Sequence, residues 1–138
     1  MSLVLDNSVA LAWCFEDEQN PAIMALLDRV VERGAVAPQL WPIEALNGLL
    51  TAQRRGRIDA EARAQMSSLL ADLPIVLDDQ TAGQLWTATA RLAEQHQLTA
   101  YDATYLELAV RLNLPLATND RALITAARVE GVALLGSG

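Results

Sequence analysis

The sequence has no lysine, one cysteine and one histidine. A single cysteine excludes both a disulfide framework and a cysteine-rich zinc site, and the apolar neighbours of Cys14 indicate core packing. The single histidine, His96, stands among polar residues with no nucleophile or orienting acid beside it, so we exclude a catalytic triad and expect a surface position.

Long apolar runs are also missing. No stretch approaches the roughly 20 residues of a membrane span. Residues 1–10 lack the basic start of a secretory signal. We therefore expect a cytoplasmic protein with no membrane partner.

Length and charge narrow the class further. A chain of 138 residues that is 52% hydrophobic can bury a core, and we expect one domain spanning 1–138. The net charge of −7 argues against a broad basic surface that holds nucleic acid by charge alone. It does not exclude a nuclease, because acids around a divalent cation contribute to the negative total.

Short apolar runs alternate with amphipathic segments along the whole chain. The predicted strands are 3–5, 35–37, 75–77, 114–117 and 132–135. Helices are predicted from Ser8 as cap, from Pro21 until Gly34 stops it, and over about 41–54, 59–70, 81–95, 99–109 and the segment ending at Gly131. In the second of these helices, apolar residues recur at helical spacing: Ile23, Leu26, Leu27, Val30 and Val31. Strands separated by helices predict parallel pairing, so we expect a three-layer α/β/α sandwich with a central parallel sheet of about five strands.

Four acids fall where a predicted strand ends or a helix begins: Asp6, Glu44, Asp102 and Asp120. In an open parallel sheet the functional crevice lies beyond the carboxyl ends of the strands, where the strand order reverses. If strands one and four are neighbours, Asp6 and Asp120 face each other, and Glu44 and Asp102 complete the rim. Helix capping is the alternative for each acid taken singly. It is strongest for Asp102, because Thr99 to Asp102 reads as a capping box.

A cluster of carboxylates needs a compensating charge. Carboxylates that lie close together repel, and a cation or a proton must offset that repulsion. An all-oxygen site without His or Cys suits Mg²⁺, with Mn²⁺ as the second choice. The sequence therefore predicts a metal centre at the sheet edge.

Four segments carry a family resemblance: 3–8, 37–47, 101–103 and 117–120, written LVLDNS, APQLWPIEALN, YDA and ATND. In order and spacing they resemble the PIN-domain pattern, and in particular VapC-type toxins, over essentially the whole chain. The resemblance implies a metal-dependent endoribonuclease in which water activated by the metal attacks an RNA phosphodiester in line. It also implies a small antitoxin partner whose C-terminal segment occupies the active groove, and a tendency to form homodimers.

The resemblance also implies roles for individual residues. Asp6, Glu44, Asp102 and Asp120 would hold Mg²⁺ directly or through water, and Ser8, Asn47 and Thr118 would support them by hydrogen bonds. Whether one or two ions act, and whether Asn119 takes part, is left open. For Trp13 and Trp41, core packing is expected over an interface role.

The basic cluster is Arg54, Arg55 and Arg57. Arginine forks suit phosphate oxygens, so these residues are candidates for substrate binding. Solvated charge at the negative end of a helix is the alternative and the commoner fate of such residues.

Two other functions fit parts of the sequence. A phosphoacceptor receiver domain would use Asp78 with Asp6 and Thr118, but such domains also use a lysine, which this chain lacks. A catalytically silent PIN-fold binding module would keep the fold without turnover, and the presence of all four acids gives it no support.

Overall fold

The computed structural model describes residues 3–136. Its strands are β1 (Val4–Leu5), β2 (Ala35–Pro38), β3 (Ile75–Asp78), β4 (Leu116–Ala117) and β5 (Leu134–Leu135). Its helices are α1 (Asn7–Cys14), α2 (Pro21–Arg33), α3 (Trp41–Arg54), α4 (Ala60–Ala71), α5 (Thr81–Gln84), α6 (Ala90–His96), α7 (Ala100–Leu112) and α8 (Arg121–Val129). A 3₁₀ turn covers Glu16–Glu18, and a π-helical stretch, Leu85–Thr89, joins α5 to α6.

The five strands form one parallel sheet in the order β3-β2-β1-β4-β5. The three-layer α/β/α fold with a central parallel sheet is confirmed. The chain builds outward from β1 to β3 and then returns to place β4 beside β1, with Leu5 opposite Ala117. The strand order therefore reverses between β1 and β4, and the residues that follow these two strands lie at the reversal.

Helix ends follow local chemistry. Asn20 caps α2 by accepting the Ile23 N–H at 2.9 Å, and Pro21 occupies the first turn, where a missing N–H costs nothing. The helix ends at Gly34, whose φ of 75° favours glycine. A side chain there would also place its Cβ 2.9 Å from the Pro74 carbonyl oxygen, so β2 and the start of β3 approach closely because this residue has no side chain.

The core consists of the inner strands and the helices that cover them. Helix α7 packs across β1, β2 and β4 and buries all of its residues from Ala103 to Ala109. Trp13 and Trp41 are buried, as expected for core packing. Among the residues described, no helix has the length and apolar character needed to cross a membrane.

Several sequence expectations need correction. Helix α1 begins at Asn7, and Asp6 rather than Ser8 occupies the cap position. Val31 is exposed, although it belongs to the apolar pattern of α2; the buried residues of this helix are Ile23, Leu26 and Val30. His96 is not a surface residue: its side chain is 9% exposed and lies 2.7 Å from Glu130, 34 positions away.

Candidate metal centre

The reversal between β1 and β4 places Asp6 and Asp120 in one hydrogen-bond network. Asp6 follows β1, is 5% exposed, and accepts hydrogen bonds at Oδ2 from the hydroxyls of Ser8 at 2.6 Å and Thr118 at 2.8 Å. Thr118 Oγ1 also accepts the Asp120 N–H at 3.0 Å. The Ser8 oxygen accepts the Asn119 N–H at 2.9 Å. The ends of the two strands are therefore fastened together through the side chains of Ser8 and Thr118.

Asp120 also caps α8. Its Oδ1 accepts the Leu123 N–H at 2.9 Å, so the capping role considered for this acid is real. A carboxylate has two oxygens and can accept several hydrogen bonds. The cap at Oδ1 therefore leaves Oδ2 for another role.

Glu44 and Asp102 come from helices. Glu44 lies in the first turn of α3 and accepts a 2.6 Å hydrogen bond from the Tyr105 hydroxyl. Asn47, the expected partner of Glu44, is exposed on α3. Thr99 caps α7 by accepting the Asp102 N–H at 3.1 Å.

The pKa values of Asp6, Glu44 and Asp102 are all raised, in part by the charges of neighbouring acids. Burial raises the pKa of Asp6 most; hydrogen bonds from Ser8 and Thr118 oppose this, and the charge of Asp120 adds to it. Burial, followed by the charges of Asp120 and Asp6, raises the pKa of Asp102 to about 6. Burial also raises the pKa of Glu44, the Tyr105 hydrogen bond lowers it, and the charges of Asp6 and Asp102 raise it further.

This donor set suits a hard, hydrated cation. All four acids offer oxygen and repel one another, and a divalent cation would relieve that repulsion. Asn7, next to Asp6, adds a buried Oδ1 that has no hydrogen-bond partner among the described residues. Within residues 3–136, no three His, Cys, Asp or Glu side chains are arranged to hold one ion directly. A divalent ion at this centre would therefore be held at least partly through its waters.

A groove of about 370 Å³ extends from Ser8 and Asn119 between α1 and α3. Its far end carries Arg55 and Arg57, and Arg54 is not part of its wall. The groove therefore runs from two residues of the network around Asp6 to two guanidinium groups, and its wall also includes Glu18.

Arg57 is already engaged within the protein. Its Nη2 lies 2.6 Å from Asp17 Oδ1 and 2.8 Å from Glu18 Oε2, and its guanidinium stands 3.9 Å from the Phe15 ring centroid. These contacts join the 3₁₀ turn to the loop after α3. Arg55 and Arg57 are both exposed in the groove wall, but Arg57 is engaged by these ion pairs, so Arg55 is the candidate for phosphate contact.

Asp78, which a receiver domain would phosphorylate, lies elsewhere. It ends β3, two strands from β1, and its carboxylate pairs with Arg111 at 2.8 Å. Arg111 also pairs with the buried Glu107 at 2.7 Å. The strand order separates Asp78 from Asp6, and the Asp78 carboxylate is paired with Arg111. Asp78 therefore does not belong to the centre.

A family model described as PIN domain matches residues 3–129. A search of curated protein sequences returned no match.

Solved structures extend the comparison. PAE2754 from Pyrobaculum aerophilum is 25% identical, with a TM-score of 0.70 over 97% of this chain and 90% of that one. FitAcB from Neisseria gonorrhoeae is 17% identical, with a TM-score of 0.67 over 97% and 96%. VapBC2 from Rickettsia felis, solved bound to a fragment of its promoter DNA, is 13% identical, with a TM-score of 0.67 over 97% of both chains. At these identities the last two support the fold alone.

Proposed function

The chain belongs to the PIN domain family, whose members are generally nucleases, and from that membership we propose that it is a Mg²⁺-dependent endoribonuclease, the toxin of a toxin–antitoxin pair. The observation that carries the proposal is the mutual electrostatic effect of Asp6, Glu44, Asp102 and Asp120 at the point where the strand order reverses. After burial, the charges of neighbouring acids contribute to the raised pKa values of Asp6, Glu44 and Asp102, although these residues are widely separated in sequence.

The four acids would hold Mg²⁺, or Mn²⁺ in its place, directly or through water. When bound, the ion supplies positive charge for the phosphate and acidifies a water molecule. Ser8 and Thr118 hold the Asp6 carboxylate by donating to Oδ2. Arg55 offers a guanidinium to a phosphate farther along the groove, which helps a chain of net charge −7 to bind a polyanion.

Two partners follow from the same proposal. We propose a small antitoxin, because the FitAcB and VapBC2 structures are those of toxin–antitoxin complexes with the same fold. We also propose a cytoplasmic homodimer, which light scattering of the purified chain would test. Trp86, which is 85% exposed on the π-helical stretch, is the first residue to substitute if a dimer is found.

An RNA cleavage assay tests the activity. The protein is purified under denaturing conditions and refolded, so that a co-purified antitoxin cannot mask turnover, and is then incubated with a mixed RNA pool. We expect cleavage with Mg²⁺ and none with EDTA or in the Asp6→Asn variant. Asp79→Asn is the matched control, because Asp79 is an exposed acid after β3. Equal cleavage by wild type and Asp6→Asn would contradict the proposal, and the absence of Mg²⁺-dependent cleavage would favour a silent binding module.

A further inference from the structure

We propose that Tyr105 is a positioning residue of this centre, and that its hydroxyl fixes the Glu44 carboxylate so that Oε1 is committed to the protein and Oε2 remains for the cation or its water. The inference rests on the proposed function, because Glu44 has no cation to bind if that proposal fails. The contact bridges α3 and α7, and no sequence motif singles out Tyr105.

The contact is short and well anchored. The Tyr105 hydroxyl donates to Glu44 Oε1 at 2.6 Å across 61 positions of sequence. Tyr105 is 1% exposed and lies in the buried segment of α7 that packs on the sheet. A buried phenol normally finds an acceptor, and here that acceptor is a carboxylate at the edge of the core. Core packing thus holds the Tyr105 hydroxyl in place, and the hydrogen bond restricts the Glu44 side chain.

Glu44 needs such an anchor more than the aspartates do. Its side chain has one more methylene group than theirs, so more rotamers must be given up when it takes a fixed place around a cation. Polar groups that orient metal ligands remove this freedom before the ion arrives. A hydrogen bond from the packed phenol of Tyr105 does this for Glu44.

Two of the other acids, Asp6 and Asp120, also have a carboxylate oxygen bound by the protein. Asp6 Oδ2 accepts from Ser8 and Thr118, and Asp120 Oδ1 accepts from Leu123. In these two acids, as in Glu44, hydrogen bonds from the protein hold a carboxylate oxygen in place. Tyr105 completes this pattern for the acid that comes from α3.

Tyr105 also couples two of the acids. Asp102 lies three residues before it on α7, and side chains three apart on a helix share a face. The hydrogen bond to Glu44 therefore links the first turn of α3 to the helix that carries Asp102. The charges of Asp102 and Glu44 interact at this junction.

Mn²⁺ binding to the metal-free full chain provides the test. Calorimetric titration would compare wild type, Tyr105→Phe and Tyr101→Phe. The control makes the same change on the same helix at a residue that is 64% exposed. We expect the dissociation constant for Mn²⁺ to rise about 10- to 100-fold in Tyr105→Phe, the usual effect of removing a group that orients a ligand, and to stay unchanged in Tyr101→Phe. An unchanged constant in Tyr105→Phe would overturn the inference.

Measurements of RNA cleavage distinguish a positioning role of Tyr105 from a purely structural role in the core. If Tyr105 acts through Glu44, excess Mn²⁺ restores the maximal rate of Tyr105→Phe and the KM for RNA stays at the wild-type value. A loss of rate at every Mn²⁺ concentration would mean that the substitution damaged the fold or the reaction itself, and would overturn the inference. In the Glu44→Gln background, Tyr105→Phe should add little further loss of Mn²⁺ affinity.

The failure of the proposed function and the failure of this inference give different results. If wild type binds no Mn²⁺, both the proposed function and this inference fail; if wild type binds and Tyr105→Phe binds equally, only this inference fails. Should Tyr105→Phe not fold, Tyr105→Met replaces it, because it also removes the hydroxyl, leaves Glu44 unchanged and fills the buried site with a flexible apolar side chain. A rise in its dissociation constant would support the inference, and a wild-type constant would contradict it.

Discussion

Thr118 donates a 2.8 Å hydrogen bond to Asp6 across 112 positions of sequence. The same hydroxyl accepts the Asp120 N–H, so one buried oxygen joins the end of β1 to the start of α8. The neighbouring strands bring the two acids to one edge, and Thr118 fixes their connection there.

Thr118→Val should therefore destabilise the metal-free protein. The substitution removes a donor from the buried Asp6 carboxylate and the acceptor of the Asp120 N–H, and an unsatisfied buried polar group costs about 1–3 kcal/mol. Urea denaturation would measure the loss of unfolding free energy. Thr87→Val, at an exposed position, should change that free energy by less than about 0.5 kcal/mol. Equal effects of the two substitutions would mean that the hydrogen bonds of Thr118 add no more to the free energy of unfolding than an exposed threonine does.

Asp6→Asn should raise the melting temperature of the metal-free protein although it removes activity. Burial and the charge of Asp120 both favour the neutral form of Asp6, which is what its raised pKa expresses. An amide at this position relieves that cost, and a gain of about 1 kcal/mol corresponds to roughly 3 °C at this chain length. Differential scanning calorimetry in EDTA would detect the shift. A lower melting temperature would show that the carboxylate stabilises the fold.

The stability of the metal-free protein should fall as pH rises from about 4 to about 6. Burial and the charges of Asp120 and Asp6 raise the pKa of Asp102 to about 6, whereas an unfolded aspartate titrates near about 4. Between these values the folded chain holds a proton that the unfolded chain has released, so raising the pH favours unfolding. Denaturation of wild type and Asp102→Asn across this range would show a smaller fall in the variant. If the free energy of unfolding fell equally with pH in wild type and Asp102→Asn, Asp102 would have no part in the fall.

Arg55→Ala should weaken RNA binding more than Arg54→Ala does. Both substitutions remove one positive charge, but only Arg55 lines the groove that begins at Ser8 and Asn119. Loss of a phosphate contact lowers the salt dependence of binding by about one unit of slope. Fluorescence anisotropy of labelled RNA without Mg²⁺, at several salt concentrations, would measure it. Equal effects of the two substitutions would place the RNA elsewhere.

Much of the fold follows from the sequence pattern. Apolar runs separated by amphipathic segments predict five parallel strands, and all five form. The predicted strands β4 and β5 begin two residues too early, because apolar residues such as Leu114 are partly buried beside a strand without pairing in it. The π-helical stretch before α6 has no distinct sequence signal, since it keeps the apolar spacing of an ordinary helix.

The supporting contacts of the centre were harder to predict than its acids. An acid at a strand end has a recognisable place, but Tyr105 looks like an ordinary core residue, because its helical spacing does not reveal the acceptor on α3. For Ser8 the sequence pattern predicts a helix cap and the family resemblance a support for the acids, and in the structure Ser8 donates to the Asp6 side chain. The partners of Arg57, some forty positions away, depend on how the 3₁₀ turn meets the α3–α4 loop, which local patterns do not specify.

The central claim is that four distant acids form one centre for a divalent cation. Its most direct test is Mn²⁺ binding, followed by the electron paramagnetic resonance signal of the free ion, in wild type and in Asp6→Asn, Glu44→Gln, Asp102→Asn, Asp120→Asn and Asp79→Asn. We predict that wild type and Asp79→Asn bind Mn²⁺ with the same affinity and that each of the other four variants binds it more weakly. No binding by wild type, or wild-type affinity in all four of those variants, would contradict the claim.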